Sequence, residues 1–439
     1  MYAMHDRTIA LADCNNFFVS CERRVCPELA GRPVIVLSSN DGCVISRSDE
    51  AKQLGIKMCA PYFEIKNMPS FSSVAVRSTN MELYREISAE VIDRLRSYTD
   101  TAEVYSIDES FLNMAIASVK DPVLYCREIR SDILRNCGIP VSIGIAPTKT
   151  LVKLGTEYAK KMPQTGGVFW VDRSRYKDPA FMAHFRCKDV WGIGGRTSEK
   201  LGYYGISTAA DIISRDDVWI RKKFGLPGLY CLWELRGEQA YPIADIRKPQ
   251  KSVMVSRSFG VSVTDKDTLL DALLCFTAAA AAQLRKSKQS ASHMDIFIST
   301  SRFIRDKYYS NSCGSDFPDP VCVGSYFMSE ASVLLSRIFV DGYEYKKCGV
   351  ILSKLSDTSA GTQTLLFSDN DSKKTAAEAA ADTVNRHSGA QVVKPAVLFT
   401  TPGKQRRWGA RSEFRSSQAA KNALPDRLRF QCHAEDYTM

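Results

Sequence analysis

The spacing of apolar residues switches repeatedly between a strand period and a helix period through residue 171. Residues 8–13 form an apolar run that ends in an acid, Asp13, the pattern of a buried strand. Residues 15–23 follow with helical character, since Phe18, Cys21 and Glu22 stand at helix spacings. Residues 33–37 and 43–46 predict two further strands, and Ser48 starts a short helix that Gly55 ends. Over 81–96, Leu83, Ile87, Val91, Ile92 and Leu95 recur at helical spacing, which predicts an amphipathic helix. Strands are predicted at 103–107 and 110–114, with Asp108 and Glu109 at their junction. Asp121 is placed to cap a helix that Pro122 opens and that runs to about Asn136. A strand at 140–146 and a lysine-rich helix at 148–161 complete the segment. This β, α, ββ, α, β, α order predicts an α+β sheet with helices on one face.

Strand patterns vanish from 172 to about 239, where short helical patterns alternate with glycine turns. Residues 240–250, with Pro242, Lys248 and Pro249, read as a linker. A second α+β region spans 251–367, with strands at 253–260, 294–301 and 347–354 and helices at 269–286 and 329–340. Residues 368–439 are polar and alanine-rich, then basic. At 439 residues the chain is long enough for several domains.

Composition narrows the function. The chain is 44% hydrophobic and 25% charged, the mix of a soluble globular protein. No apolar run approaches the roughly 20 residues that span a bilayer, and the first residues lack a secretory apolar region. A cytoplasmic protein with no membrane partner is the expectation. Its 14 cysteines are scattered, with no Cys-x-x-Cys pair, so reduced thiols are expected and a zinc site is not. A formal net charge of +10 and a pI of about 8.9 favour a polyanionic partner.

Asp13 leaves the first strand, and Asp108 and Glu109 sit at the junction of a later pair. A sheet can bring these three carboxylates together, where their repulsion calls for cations. Hard oxygen ligands suit Mg²⁺, and two such ions would serve nucleotidyl transfer. Alone, each acid is an ordinary turn residue; their neighbours change the reading.

Asp13-Cys-Asn-Asn-Phe-Phe18 with Ser20-Cys-Glu22 resembles the first motif of Y-family DNA polymerases. Tyr105-Ser-Ile-Asp-Glu109 resembles the second acidic motif of that family. Gly144-Ile-Ala-Pro-Thr-Lys-Thr150 with Ala159-Lys-Lys161 resembles the third, and Asp189-Val-Trp-Gly-Ile-Gly194 the helix-hairpin-helix of the thumb. Ser38-Ser-Asn-Asp-Gly-Cys-Val-Ile45, Thr165-Gly-Gly-Val168 and Ser256-Arg-Ser-Phe-Gly260 resemble the UmuC branch, the catalytic subunit of bacterial polymerase V. The resemblance covers about residues 8–367 in order, so several ordered motifs agree.

The resemblance implies an α+β multidomain fold shaped as a right hand. Its parts are a palm (1–16 and 83–171), fingers (17–82), a helical thumb (172–240), an α+β little finger (251–367) and a partner-binding tail (368–439). It implies an error-prone translesion polymerase of the SOS response, adding deoxynucleoside triphosphates to primer–template DNA with two Mg²⁺ ions. Asp13, Asp108 and Glu109 become catalytic metal ligands, and Cys14 contributes only its backbone carbonyl. Phe18 becomes a steric gate against the ribose 2′-hydroxyl, with Phe17 beside it. Val44 and Ile45 are expected over the nascent base pair, and Ser46, Lys52 and Lys160 on the triphosphate. Many relatives carry Tyr and Arg where Asp49 and Lys52 stand here. Gly192 and Gly194 let a hairpin approach a DNA phosphate, aided by Arg196. Arg257, Ser301 and Arg302 are expected DNA contacts. Gln363, Leu366 and Phe367 belong to a pentapeptide that resembles a sliding-clamp anchor. A UmuD-type processed dimer and a RecA filament are the other implied partners. Residues 404–415, with Trp408, resemble the UmuC tail, and the match is slight beyond Ser416. The rival reading is a DNA-binding accessory protein with a relic palm, which the intact Asp13, Asp108 and Glu109 oppose.

Overall fold

Strand β1 (Ile9–Cys14) is buried along its whole length. In the computed structural model, which describes residues 8–114, 121–244, 250–303, 307–357, 369–388, 392–393, 395, 398 and 413–416, the reason is plain. The strand is central in a five-stranded sheet of order β5-β6-β1-β7-β8. Its companions are β5 (Ala102–Val104), β6 (Glu109–Asn113), β7 (Val141–Ala146) and β8 (Val168–Trp170). Alternation sends Ala10, Ala12 and Leu112 toward helices α4 (Met81–Arg96) and α5 (Pro122–Cys137). It sends Ile9, Leu11 and Phe111 toward helix α6 (Lys149–Lys161). Helices therefore cover both faces, correcting the one-face expectation; a strand covered twice reads apolar throughout. Gly144 is required on the α6 side, because a β-carbon there would collide with Thr156.

The local signals read in the sequence are used as read. Asp121 accepts from the amides of Val123 and Leu124, with Pro122 in the first turn of α5. Ser48 accepts from Ala51 to cap α2 (Asp49–Gln53). Helix α1 (Phe17–Val25) leads into a lobe built on β2 (Val34–Leu37), β3 (Val44–Arg47) and β4 (Ala75–Ser78), in the order β3-β2-β4. Strand β4 was not evident in the sequence: it is four residues long, lies at the sheet's edge and carries Arg77. Helices α2 and α3 (Tyr62–Ile65) close this lobe over Ile35, Leu37, Val44 and Ile56. The helical stretch beyond is α7 (Arg173–Tyr176), α8 (Pro179–Met182), α9 (Gly195–Tyr203), α10 (Ala209–Ile213) and α11 (Asp217–Leu235), the last kinked at Gly225. These elements form one compact unit: Met1–Ser38, Gly42–Arg247 and Phe414–Met439.

The second unit comprises Ser39–Asp41 and Lys248–Glu413. It holds β9 (Ser252–Val263), α12 (Lys266–Lys286), β10 (Gln289–Thr300), β11 (Ser310–Val321), α13 (Gly324–Ile338) and β12 (Tyr345–Asp357). The sheet is antiparallel, in the order β11-β10-β12-β9. Strand β11 escaped the sequence reading because it holds Gly314, Pro318 and Pro320, residues a sheet tolerates at an edge. Helix α14 (Asp369–Ser388), also unforeseen in the polar tail, is tied down where Arg285 pairs with Glu378 and Asp382. Among the described residues, one helix, α12, is long and apolar enough to cross a membrane, although no such run was expected. Its Leu269, Leu273, Phe276 and Leu284 are core residues of this unit. Every described cysteine is a free thiol.

Candidate active site

The antiparallel register of β1 and β6 sets Asp13 directly opposite Glu109. Both share the sheet face of Leu11 and Phe111, the face that α6 covers. Lys153 and Lys160 are seven residues apart on α6, two helical turns, and so lie on one side of it. Lys153 reaches Glu109 at 2.8 Å and Lys160 reaches Asp13 at 2.7 Å. Asp108 stands in the turn before β6, and its carbonyl accepts from the Cys14 amide at 2.9 Å. The Ser106 hydroxyl donates to the Asp108 carboxylate at 2.5 Å and accepts from the Glu109 amide at 3.1 Å. Asp13 and Glu109, from two distant segments, thus meet two ammonium groups at the ends of two interior strands, with Asp108 adjacent in the chain.

The electrostatics show the crowding. The Asp13 carboxyl is raised to about 7 in all: burial pushes it up, Lys160 pulls it back, and Glu109 and Asp108 add to the rise. Burial also weakens the Lys160 ammonium, but Asp13 and Glu157 outweigh that and raise its pKa. Burial pushes the Cys14 thiol well up, leaving it inert. Among the described residues no three carboxylate, histidine or cysteine side chains are gathered as a preformed metal cage. The oxygen-only donor set nonetheless fits Mg²⁺, which takes one or two carboxylates together with substrate phosphates.

Beside this cluster, Asn16 adopts a left-handed conformation (φ 46°) and turns the chain into α1. Phe18 is half-buried and stacks on Tyr84, with ring centroids 4.6 Å apart and planes 17° off parallel. The Tyr84 hydroxyl donates to the buried Glu22 at 2.7 Å, and Arg77 stands 3.7 Å from the other oxygen of Glu22. Sequence reading missed Tyr84, Glu22, Lys153 and Ser106 as site residues. The signal for Tyr84 was a phenol on the apolar stripe of an amphipathic helix, which needs a buried hydrogen-bond partner.

The residues expected at the nucleotide have the following surroundings. The Phe17 side chain is packed in the core, so only its backbone can meet a nucleotide. The Val44 side chain is fully buried among Ile35, Leu37 and Ile56. Alternation along β3 leaves Ile45 half-buried. The Ser46 hydroxyl donates to the Asn16 carbonyl at 3.3 Å and accepts from Val19, so it fixes the start of α1. Lys52 is exposed and pairs with Asp49 at 2.7 Å.

In the helical stretch, Gly192 has φ 87°, and a β-carbon added there or at Gly194, which precedes α9, would meet nothing within 4 Å. Gly192, Gly194 and Arg196 are exposed around the buried Ile193. Glu234 is completely buried and accepts from the amides of Thr150 (2.9 Å), Ala240 (2.8 Å) and Tyr241 (3.1 Å). It therefore anchors the first turn of α6, the helix bearing both site lysines. Glu234→Ala orphans three donors and is expected to cost about 3 kcal/mol, read as a lowered urea midpoint at unchanged slope.

In the second unit, Arg257 pairs in register with the buried Cys348, on the helix side of the sheet, with its guanidinium 5.9 Å over Phe276. The open sheet face instead carries Lys347, opposite Ser258 and 5.5 Å over Phe297. Ser301 and Arg302 lie in the turn after β10, where Ser301 accepts from the Phe303 amide. Gln363, Leu366, Phe367 and Trp408 fall outside the described residues.

The comparisons agree with this geometry. Residues 12–157 match the impB/mucB/samB family, and residues 250–366 match that family's C-terminal domain. The chain is 37% identical to protein UmuC of Salmonella typhimurium, over 93% of this chain and 96% of that one. It is 35% identical to protein MucB of Escherichia coli, over 80% and 84% of the two chains. Among solved structures, a Y-family DNA polymerase chimera of Dbh and Dpo4 superposes with a TM-score of 0.66 at 22% identity, covering 80% of this chain and 99% of the chimera. The fold is therefore that of the Y-family DNA polymerases. Within that class the chain belongs to the impB/mucB/samB family, the UmuC branch of translesion polymerases.

Proposed function

We propose that Asp13, Asp108 and Glu109 are the ligand set for two Mg²⁺ ions, at which a deoxynucleotide joins a primer 3′ end opposite damaged template. The observation that carries this is the Asp13–Glu109 register pair, with Asp108 one residue away. Bound there, the ions would supply activation of the 3′-hydroxyl and charge stabilisation for the departing pyrophosphate. The carboxylates orient the reacting groups, and Lys160 and Lys153 balance their charge and are placed to meet a triphosphate. Phe18, backed by Tyr84, excludes a 2′-hydroxyl. We assign the palm to 1–16 and 83–171, the fingers to 17–82, the thumb to 172–240 and the little finger to 251–367. Gly192, Gly194 and Arg196, with Ser301, Arg302 and the edge residue Arg257, are the DNA contacts; Lys347 joins them on the open sheet face. The protein acts in the cytoplasm. The deciding experiment is primer extension across an abasic site, with and without a UmuD-like partner and RecA filaments. No extension under any of these conditions would sink the reading.

The clamp contact gives a separate prediction. Leu366 and Phe367 form an apolar pair after the little finger, and truncating both to alanine is expected to cost about 2 kcal/mol or more of docking energy. Short extension without clamp stays unchanged, while clamp-stimulated synthesis falls. Equal stimulation of wild type and double variant would remove this pair from the interface.

A further inference from the structure

The edge of the three-stranded lobe is already occupied, by the chain's own residues 414–416. Strand β4 is an edge strand, and such edges expose unpaired backbone groups. Here the Ser78 amide donates to the Phe414 carbonyl at 3.1 Å, and the Phe414 amide donates to the Ser78 hydroxyl at 2.9 Å. The Phe414 ring meets Tyr62 edge-on at 5.7 Å and joins the apolar cluster of Ile35, Leu37 and Val44. Arg415 donates to the Asn80 side chain at 3.4 Å and stands 3.9 Å from Glu82. Asn80 in turn donates to the Ser416 hydroxyl at 3.5 Å.

These contacts converge on the support of the gate ring. Asn80 caps α4, accepting from the Leu83 amide, and Tyr84 is the next residue of that helix. Glu22, which holds the Tyr84 hydroxyl, is fully buried. Burial raises its pKa, and Tyr84, Arg77 and Ser416 are the groups that pull it back. Ser416 therefore meets the cap of α4 through Asn80 and adds electrostatic support to the carboxylate that fixes Tyr84.

We propose that residues 414–416 are an intramolecular clip that seals the fingers sheet and positions Tyr84 behind Phe18, so that sugar selection depends on a docked tail. A partner that captures this segment must compete with the fingers for it, and capture loosens the gate. Phe414 and Ser416 act here as positioning residues, through Tyr84. The coupling to sugar choice rests on the reading of Phe18 as the gate; the docking does not.

Hydrogen exchange on the full chain tests the docking, comparing wild type, Phe414→Ala and Phe414→Leu. In Phe414→Ala the Ser78 amide is expected to exchange roughly 10-fold faster, with protection elsewhere retained. Phe414→Leu, which keeps apolar bulk, stays near wild type. Unchanged Ser78 exchange in Phe414→Ala overturns the clip. Insertion of ribo- against deoxynucleotide tests the coupling: discrimination is expected to fall about 10-fold in Phe414→Ala and in Ser416→Ala, while primer–template Kd holds within about twofold. Faster Ser78 exchange with unchanged discrimination overturns the coupling. Ser416→Ala removes one hydroxyl and serves if Phe414→Ala folds poorly. Phe18→Ala is run in parallel. Unchanged discrimination there overturns the gate reading and the coupling with it, while exchange still decides the docking.

Discussion

Asp108→Ala is expected to lower primer extension by about a thousandfold or more while primer–template affinity stays within about threefold. The fold has little stake in this carboxylate. It is half-exposed and its hydrogen-bond partner is the neighbouring Ser106. The backbone contact that fixes its position, from the Cys14 amide to the Asp108 carbonyl, survives the change. In the proposed site, the carboxylate's value lies in placing oxygen ligands beside Asp13 and Glu109. Stability and DNA binding are thus expected to separate from chemistry. The check is single-turnover extension in Mg²⁺ alongside a thermal melt and a DNA titration. Near-wild-type extension by a folded variant would falsify the assignment of Asp108 as a ligand.

Phe18→Ala is expected to admit ribonucleotides, with a loss of sugar discrimination of about 2–3 kcal/mol, since a ring packed against the sugar rejects an extra oxygen by overlap. The Phe18 ring cannot drift away from a substrate, because Tyr84 is stacked behind it and Glu22 holds Tyr84. Truncation also removes a half-buried aromatic ring, so a stability loss of about 2 kcal/mol accompanies the change. Steady-state insertion of matched ribo- and deoxynucleotides separates the effects, because lost stability lowers both rates together. Unchanged discrimination would make Phe18 a core residue only.

Much of this molecule was legible in one dimension because the signals are local. The run at 8–13, the Asp121 cap with Pro122 and the glycine turn at Gly192 each act within a few residues. The family motifs are equally short, and they named Asp13, Asp108, Glu109 and Phe18 without a structure. Edge elements were not legible: β4 and β11 have unpatterned, polar or proline-bearing sequences, because an edge needs neither alternation nor every amide. Helix α14 was missed because its stabilising ion pairs reach back to Arg285, which no local pattern encodes.

The sequence by itself singled out Asp13, Asp108 and Glu109 as the candidates for the chemistry, because the motifs that carry them are written in consecutive positions. Only the tertiary structure decided who faces whom. The register of β1 on β6 places Asp13 against Glu109, and α6 swings Lys160 onto a carboxylate 147 residues away in the chain. The same packing buried the Val44 side chain, tied the Ser46 hydroxyl to the start of α1 and supplied Tyr84 and Glu22 behind Phe18. Burial and pairing depend on neighbours that are distant in sequence and near in space, and the folded backbone alone chooses those neighbours.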